Sequence, residues 1–498
     1  MVLEQFIVSL NTEFLSKVLF LLLATISITG YISLNKIFFF SNKLSHDFLI
    51  IRSSIFFSYA FIIFSLINFF IPINDKLVFF FYLLGIFIFF IKYLNNELKI
   101  EIKLLFALSL FIILYLLNSG VNNDFDYHSH HIELYKNFSF FDFNQNIFDG
   151  RIKYNSGYLL LNSITYLTIS DISVKFLSAY LFSVFILDIR KYISLTNNNF
   201  LISKILPIFF LICIYLTLSK FKNIGTDYIA HIVYLSLMIF YLFTYSANKE
   251  FFFNRNFSII LFITLAFLIV LKISMILCSL VCIHYFYLLY EKKKLNNIFS
   301  IFLVFPITLL AIWIFQNISL SQCLIYPIEK LCFIDDKTHI IFESNMISLF
   351  AKSVKINYWN ENILSLKEMN NISFWIMSWF NDHFFKILEK FIPALIIFNL
   401  ITFRHLSKKE ISNQNIPIKH ETLLISIWVF TLIVWFLQAP AMRFGFSYLV
   451  ITFFLINFYF LRLLNFSYQK IISSNYFNKV FNFLFMLMIC YQLYRINF

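Results

Sequence analysis

Residues 102–133 read IKLLFALSLFIILYLLNSGVNNDFDYHSHHIE. The first half is a continuous apolar run; the second, from Asn122, is polar and acidic. The apolar half does not alternate apolar with polar side chains, as a strand of a membrane barrel would. Backbone groups cannot stay unpaired in lipid, so such a run must be a helix, and a hydrocarbon core about 30 Å thick takes about 20 residues of it. Working outward, runs of the same kind recur at approximately 14–33, 53–72, 77–93, 102–118, 172–189, 200–218, 228–246, 256–271, 273–290, 298–316, 388–404, 421–437, 446–462 and 478–494. The stretch 157–170 is apolar but short and is followed by Asp171, so it reads as a helix lying at the interface or re-entering the membrane. The expected fold class is all-α: a polytopic transmembrane helix bundle of about 12–14 spans, with extracytoplasmic loops carrying short helices.

Bulk composition agrees. The chain has 498 residues, 60% of them hydrophobic and 13% charged, with mean hydropathy +0.80, whereas soluble domains carry about 25% charged residues. Phe is abundant, at 71, and Ile, Asn and Lys are common. All four have AT-rich codons, so a low-GC genome accounts for Phe without a special role. The formal charge of +13 does not point to nucleic acid. The basic residues are scattered through short inter-helix loops, as cytoplasmic loop bias requires, and form no binding stripe. Of six cysteines, Cys213, Cys278, Cys282 and Cys490 lie in apolar runs and read as packing residues. Cys323 and Cys332 flank a short segment of a polar loop, where an oxidising compartment would allow a disulfide and a reducing one would not. The first apolar run follows two acidic residues and lacks the basic region and small-residue cleavage site of a signal peptide.

Lys36, Lys43 and Arg52 share one loop, Lys92, Lys99 and Lys103 another, and Arg190 with Lys191 a third. Lys249 with Arg255, the run Lys292 to Lys294, the cluster Arg404, Lys408, Lys409 and Lys419, and the cluster Arg462, Lys470 and Lys479 continue the alternation. Lys and Arg bias places these loops in the cytoplasm. The polar island Asn122–Ser156 then lies outside, as do 220–227, the long loop 317–387 and 438–445. A second full span within 157–190 would turn the lysine run outward, which the charge rule disfavours. The expected organisation is N-terminal transmembrane helices over 1–100, a core over 101–463 with outer loops 119–171 and 317–387, and a C-terminal transmembrane helix over 464–498.

The island holds Asp124, Asp126, His128, His130, His131 and Glu133, and ends DGRIKYNS at 149–156. A carboxylate near a dry membrane surface can have its pKa raised, which suits a general base; as a bland alternative, Asp favours helix N-caps. Two acids beside three histidines favour a functional site, with Asp124 or Asp126 as the base. His128 with His131, and His130 with Glu133, have the spacing to share a helix face, but the zinc-hydrolase H-E-x-x-H arrangement is absent, so hydrogen bonding to substrate or water is the preferred role. Asp227, in NIGTDY, reads as a second acid or a helix cap. Lys272 lies between two apolar runs and must face a cavity, a partner or the interface. Arg443 follows Pro440, which breaks the helix there, and a guanidinium can grip a phosphate with two bonds; both cations read equally as interfacial anchors. Tyr358, Trp359, Trp375 and Trp379 of the long loop fit the ordinary aromatic belt.

Taken in order, these motifs resemble a bacterial family of GT-C-like polytopic membrane glycosyltransferases. The shared pattern is an acid shortly before Tyr127-His128, then Arg151, then Asn155-Ser156, a short second loop ending in Asp227, Lys272 and Ser274, Tyr326-Pro327, and Ala439-Pro440 with Arg443-Phe444. The family often carries an acid between that Ala-Pro and Arg, where this chain has Ala441 and Met442. The resemblance covers roughly residues 100–450 and implies a GT-C-like bundle that takes a sugar from a polyprenyl-phosphate donor to a cell-envelope glycan or lipid acceptor. On that resemblance Asp124, Asp126 and Asp227 are catalytic candidates. Tyr127, His128, His131, Arg151, Asn155, Lys272, Tyr326 and Arg443 are substrate-binding candidates. The resemblance fixes no cofactor; a metal-dependent variant would bring Mg or Mn to Asp227. The expected partners are the lipid bilayer, the lipid-linked donor and the acceptor, with no nucleic acid. The expected location is the bacterial inner membrane, with the site facing the periplasm or exterior. A surface-polysaccharide polymerase would instead rely on outer-loop arginines, and a lipid-linked glycan transporter or flippase on mid-membrane charges and repeated broken helices.

Overall fold

The computed structural model describes residues 12–39, 48–95, 102–117, 125–145, 155–168, 175–195, 201–216, 226–298, 303–326, 331–333, 376–377, 379–403, 406–408, 418–438, 442–463 and 466–468, with 483 and 486. The expected span 478–494 and most of the loop 317–387 lie outside the described residues. In chain order the helices are α1 Thr12–Phe39, α2 Leu49–Asn68, α3 Asp75–Leu94, α4 Ile102–Leu117, α5 Phe125–Asn137, α6 Gly157–Thr165, α7 Phe176–Leu195, α8 Leu201–Leu216, α9 Thr226–Ala247, α10 Arg255–Leu271, α11 Val281–Glu291, α12 Val304–Ser321, α13 Phe385–Phe403, α14 Ile418–Gln438 and α15 Met442–Leu463. The architecture is the expected all-α bundle. Six described segments are long and apolar enough to cross a membrane, and four shorter apolar stretches accompany them. The protein is therefore a multi-pass membrane protein.

Membrane chemistry shows in the packing. α3 turns Phe79, Phe80, Phe87 and Phe90 outward, where lipid would cover them. Its other side meets α1 at Gly30 and Gly85: a Cβ on Gly30 would lie 2.1 Å from the Gly85 carbonyl oxygen. Small residues at such a crossing let two backbones approach where no hydrophobic drive separates helix from lipid. Buried hydroxyls of Thr25, Ser54 and Ser58 donate to the carbonyl one turn earlier, so they need no outside partner. Buried apolar side chains from α1 to α15 form one connected core.

Contacts sort the helix ends into two groups. At one end the Phe48 ring lies 4.0 Å from Tyr192 and 5.7 Å from Phe243, Asp188 accepts from the amides of Leu49 and Ile50 at the start of α2 (3.0 and 2.7 Å), and His420 bonds Glu291 at 2.8 Å. These residues flank the lysine-rich loops. At the other end Ile73 donates its amide to Tyr135 (2.9 Å), Asn68 its side-chain amide to Phe138 (3.3 Å), and Ser156 its hydroxyl to Leu271 (2.8 Å). α6 is nine fully buried residues, about 14 Å at 1.5 Å per residue and too short to cross. It starts beside Leu271 and is followed by Tyr166, which meets Lys136 at the same end of the bundle, so it re-enters and the later helices keep their sides.

Helix ends shift from the sequence expectation, α1 running to Phe39 and α7 to Leu195 where 33 and 189 were expected, and other features depart from it as well. The run 273–290 begins as a 3-10 helix, Ile273–Leu280, before α11. α12 ends at Ser321, beyond the expected 316. A two-stranded antiparallel ribbon, β1 Leu406–Lys408 with β2 Phe466–Tyr468, joins the segments after α13 and α15, with Ser407 opposite Ser467.

Candidate functional site

The island is tied down at its α5 end. Lys136, in the last turn of α5, forms an ion pair with Asp75, the first residue of α3, and donates to the Tyr166 carbonyl at 2.8 Å. Asp75 also accepts from the Thr168 hydroxyl. The Lys136 side chain is 4% exposed, and burial pushes its ammonium below the ordinary lysine value while the Asp75 pairing works against that shift. α5 packs on α6. From the Lys136–Tyr166 joint, Asp126 is ten residues back along one strand of chain and Ser156 ten back along the other; each lies about 15 Å away if helical throughout. Between them on α5, His131 is buried and His128 half-buried.

The other end of the island is a polar joint between three helices. Asn155 is buried with φ 41°, in the left-handed region that Asn tolerates better than most residues. Its side-chain amide donates to the Trp313 carbonyl (3.3 Å) and, at 3.5 Å, to Gln316 Oε1. Trp313 Nε1 donates back to the Asn155 carbonyl at 2.8 Å. Ser156 binds the last carbonyl of α10, and the next residue there is Lys272. Lys272 is extended (φ −158°, ψ 119°), half-buried, and separates α10 from the 3-10 turn that follows. Gly157 makes this closeness possible: a Cβ there would lie 2.4 Å from Val270 Cγ1. Tyr448 of α15 closes the group, donating to the Ser274 carbonyl at 3.1 Å.

α9 and α15 bring two more predicted positions to the same end. Tyr228 meets Phe446, His231 bonds Ser447 (Nδ1 to Oγ, 2.8 Å) and Tyr234 meets Tyr448. The contacts rise together, so the helices run parallel. Asp227 precedes His231 by four residues and Arg443 precedes Ser447 by four, one turn in each case. Asp227 and Arg443 thus occupy matching positions at the starts of neighbouring helices. Asp126, Tyr127, Asp227 and Arg443 are described as helix positions only. Asp124, Arg151, Pro327, Ala439 and Pro440 lie outside the described residues.

Tyr326 is buried against a disulfide between Cys323 and Cys332, with Cα atoms 3.9 Å apart. Asn317 of α12 ties this knob down, donating to the Leu324 carbonyl at 3.1 Å. Sequence reasoning missed the α12 residues Trp313, Gln316 and Asn317, and Asp75. Two adjacent carboxamides in an otherwise apolar run were the available signal. Among the described residues no group of three or more His, Cys, Asp or Glu side chains is arranged to hold a metal.

What results is a membrane protein with a polar site built at one end of its bundle from the island, α9, α10, α12 and α15. The family model described as Domain of unknown function (DUF8201) matches residues 14–450, and the chain belongs to that family. No curated protein and no solved structure matches the chain.

Proposed function

We propose that the chain is a GT-C-like inverting glycosyltransferase of the bacterial inner membrane. It moves a sugar from a polyprenyl-phosphate-linked donor to a cell-envelope glycan or lipid acceptor at the outer face. The observation that carries this is the joining of Asn155-Ser156 to Leu271-Lys272 at the end of the bundle where α9 and α15 begin. The disulfide at that end supports an outward site, since such bonds persist in oxidising compartments.

In the reaction, Asp126 or Asp124 accepts the proton of the acceptor hydroxyl. The hydroxyl oxygen attacks the anomeric carbon from the face opposite the phosphate, and the bond from that carbon to the phosphate oxygen breaks. The electron pair leaves on the lipid phosphate. Lys272 and Arg443, with Arg151, hold that phosphate and stabilise the charge it gains, a preorganised electrostatic contribution. Asp227 orients the acceptor. The lipid tail lies between helices. No covalent sugar-enzyme intermediate is needed, and in a metal-dependent variant Asp227 would help hold Mg or Mn.

Sugar transfer by purified Asp124→Asn and Asp126→Asn proteins tests the assignment. One of them should fall by about 10²–10⁴-fold, the usual contribution of a general base, with normal insertion. Full transfer in both would refute it. Lipid-linked glycans of a deletion strain separate the alternatives: an acceptor short of one sugar fits transfer, intact unpolymerised units fit a polymerase, and complete units trapped inside fit a flippase.

A further inference from the structure

Tyr448 is buried in α15, and three ring systems fix its orientation: Tyr234 at 6.2 Å, Trp428 at 6.2 Å and the His231 imidazole at 6.1 Å between centroids. Its hydroxyl is thereby aimed at the segment that follows α10. It donates to the Ser274 carbonyl at 3.1 Å and lies 3.5 Å from Cys278 Sγ, whose thiol supplies its second bond. Buried hydroxyls of the surrounding helices, those of Ser236, Thr264 and Thr431, bond the carbonyl one turn earlier on their own helix and tie nothing together. Tyr448 instead reaches a carbonyl of another element. That carbonyl belongs to the residue two places after Lys272, inside the first turn of the 3-10 run, and the Lys272 carbonyl accepts from the Met275 amide at 2.9 Å. On its other side Lys272 follows Leu271, whose carbonyl is held by Ser156. The Lys272 backbone is therefore fixed from both directions, by the island upstream and by α15 downstream.

We propose that Tyr448 is a positioning residue: it holds the Lys272 backbone against the helix that begins with Arg443, and so sets the spacing of the two cations that share the lipid phosphate. Arg443 stands five residues before Tyr448, about 7.5 Å back along α15. The start of that helix is itself braced, since a Cβ on Gly445 would lie 2.4 Å from the Trp435 indole of α14. Two cations grip one phosphate only when both are in place, so a shift of either weakens the hold. The neighbouring Ser447 turns a different way, to His231, and ties α15 to α9 instead of to Lys272. The role rests on the glycosyltransferase reading and adds a residue that governs its phosphate grip without touching the lipid.

Binding of decaprenyl phosphate to the full chain in lipid nanodiscs tests it. Tyr448→Phe removes only the hydroxyl and keeps the ring among its neighbours. Its affinity for decaprenyl phosphate should fall by roughly tenfold, the scale of one hydrogen-bonding group. In a Lys272→Met background the same change should cost nothing more, because no ammonium remains to be positioned; independent contributions would add. Ser447→Ala, which loosens α15 from α9, should bind decaprenyl phosphate as the native chain does. Spin labels at positions 272 and 443 read the geometry without any ligand: Tyr448→Phe should lengthen or broaden their distance distribution, and Ser447→Ala should not. A loss of equal size in Ser447→Ala or in the Lys272→Met background overturns the inference, since either marks general loosening of the bundle. An unchanged distance distribution in Tyr448→Phe also overturns it. A native chain that binds decaprenyl phosphate no better than Tyr448→Phe does overturns this inference alone. One that does not bind decaprenyl phosphate overturns the donor assignment beneath it, and this inference with it.

Discussion

Asp75 and Lys136 show how much one pair can position. The lysine is buried and the aspartate about a third exposed, and together they join the start of α3, the end of α5 and the segment after α6. Asp75→Asn leaves the ammonium without that counter-charge. Losing one partner of a buried pair costs about 3–5 kcal/mol, and solvent at Asp75 should reduce this to about 1–3 kcal/mol. The sign with pH follows from the lysine. Its folded pKa lies below its unfolded value, so between the two the unfolded chain binds more protons and stability rises with pH. The Tm of Asp75→Asn should therefore climb from neutral pH towards the ordinary lysine range, and a flat profile would show that Lys136 is hydrated. Asn155 makes a second prediction. Asn155→Ala loses the bonds to Trp313 and Gln316 in a left-handed backbone, so it should lose more Tm than Asn155→Gly, which relieves the backbone. Lys272 was legible in the sequence because a charge between apolar runs stands out. Gln316 and Asn317 were not, because carboxamides near the end of a span look like ordinary interface.

Among elements, α6 carries the topology. Its shortness and Asp171 made it readable as something other than a span, and its packing between Phe61 and Val270 explains why it is there. Gly157→Ala would push a methyl group to within 2.4 Å of Val270 Cγ1 and 2.8 Å of Phe61 Cε2. Overpacking of that kind costs about 1–3 kcal/mol, and here it would also move Asn155 and Ser156 away from Lys272. The expected outcome is a lower Tm together with a loss of sugar transfer greater than the loss of folded protein. Full transfer at a reduced Tm would uncouple α6 from the site. The 3-10 run Ile273–Leu280 was not legible, since its composition is that of any apolar helix. The β1–β2 ribbon was not either: its pairing joins segments about sixty residues apart and has no local signature.

At the scale of the molecule, the two sets of helix ends fix relative sidedness, and the charge rule assigns one of them to the cytoplasm. In intact spheroplasts a membrane-impermeant maleimide should label Phe141→Cys, an exposed site within the island, but not Lys292→Cys, exposed at the opposite end, until the membrane is opened. The reverse pattern would turn the site inward. The most direct measurement is the distance between spin labels at positions 126 and 443 of the full chain in nanodiscs. If the island acid and the late arginine serve one pocket, the distance distribution should centre within about 20 Å, two interhelical spacings. A centre at about 30 Å or more, the thickness of the hydrocarbon core, would separate the base from the phosphate grip and contradict the proposed transfer.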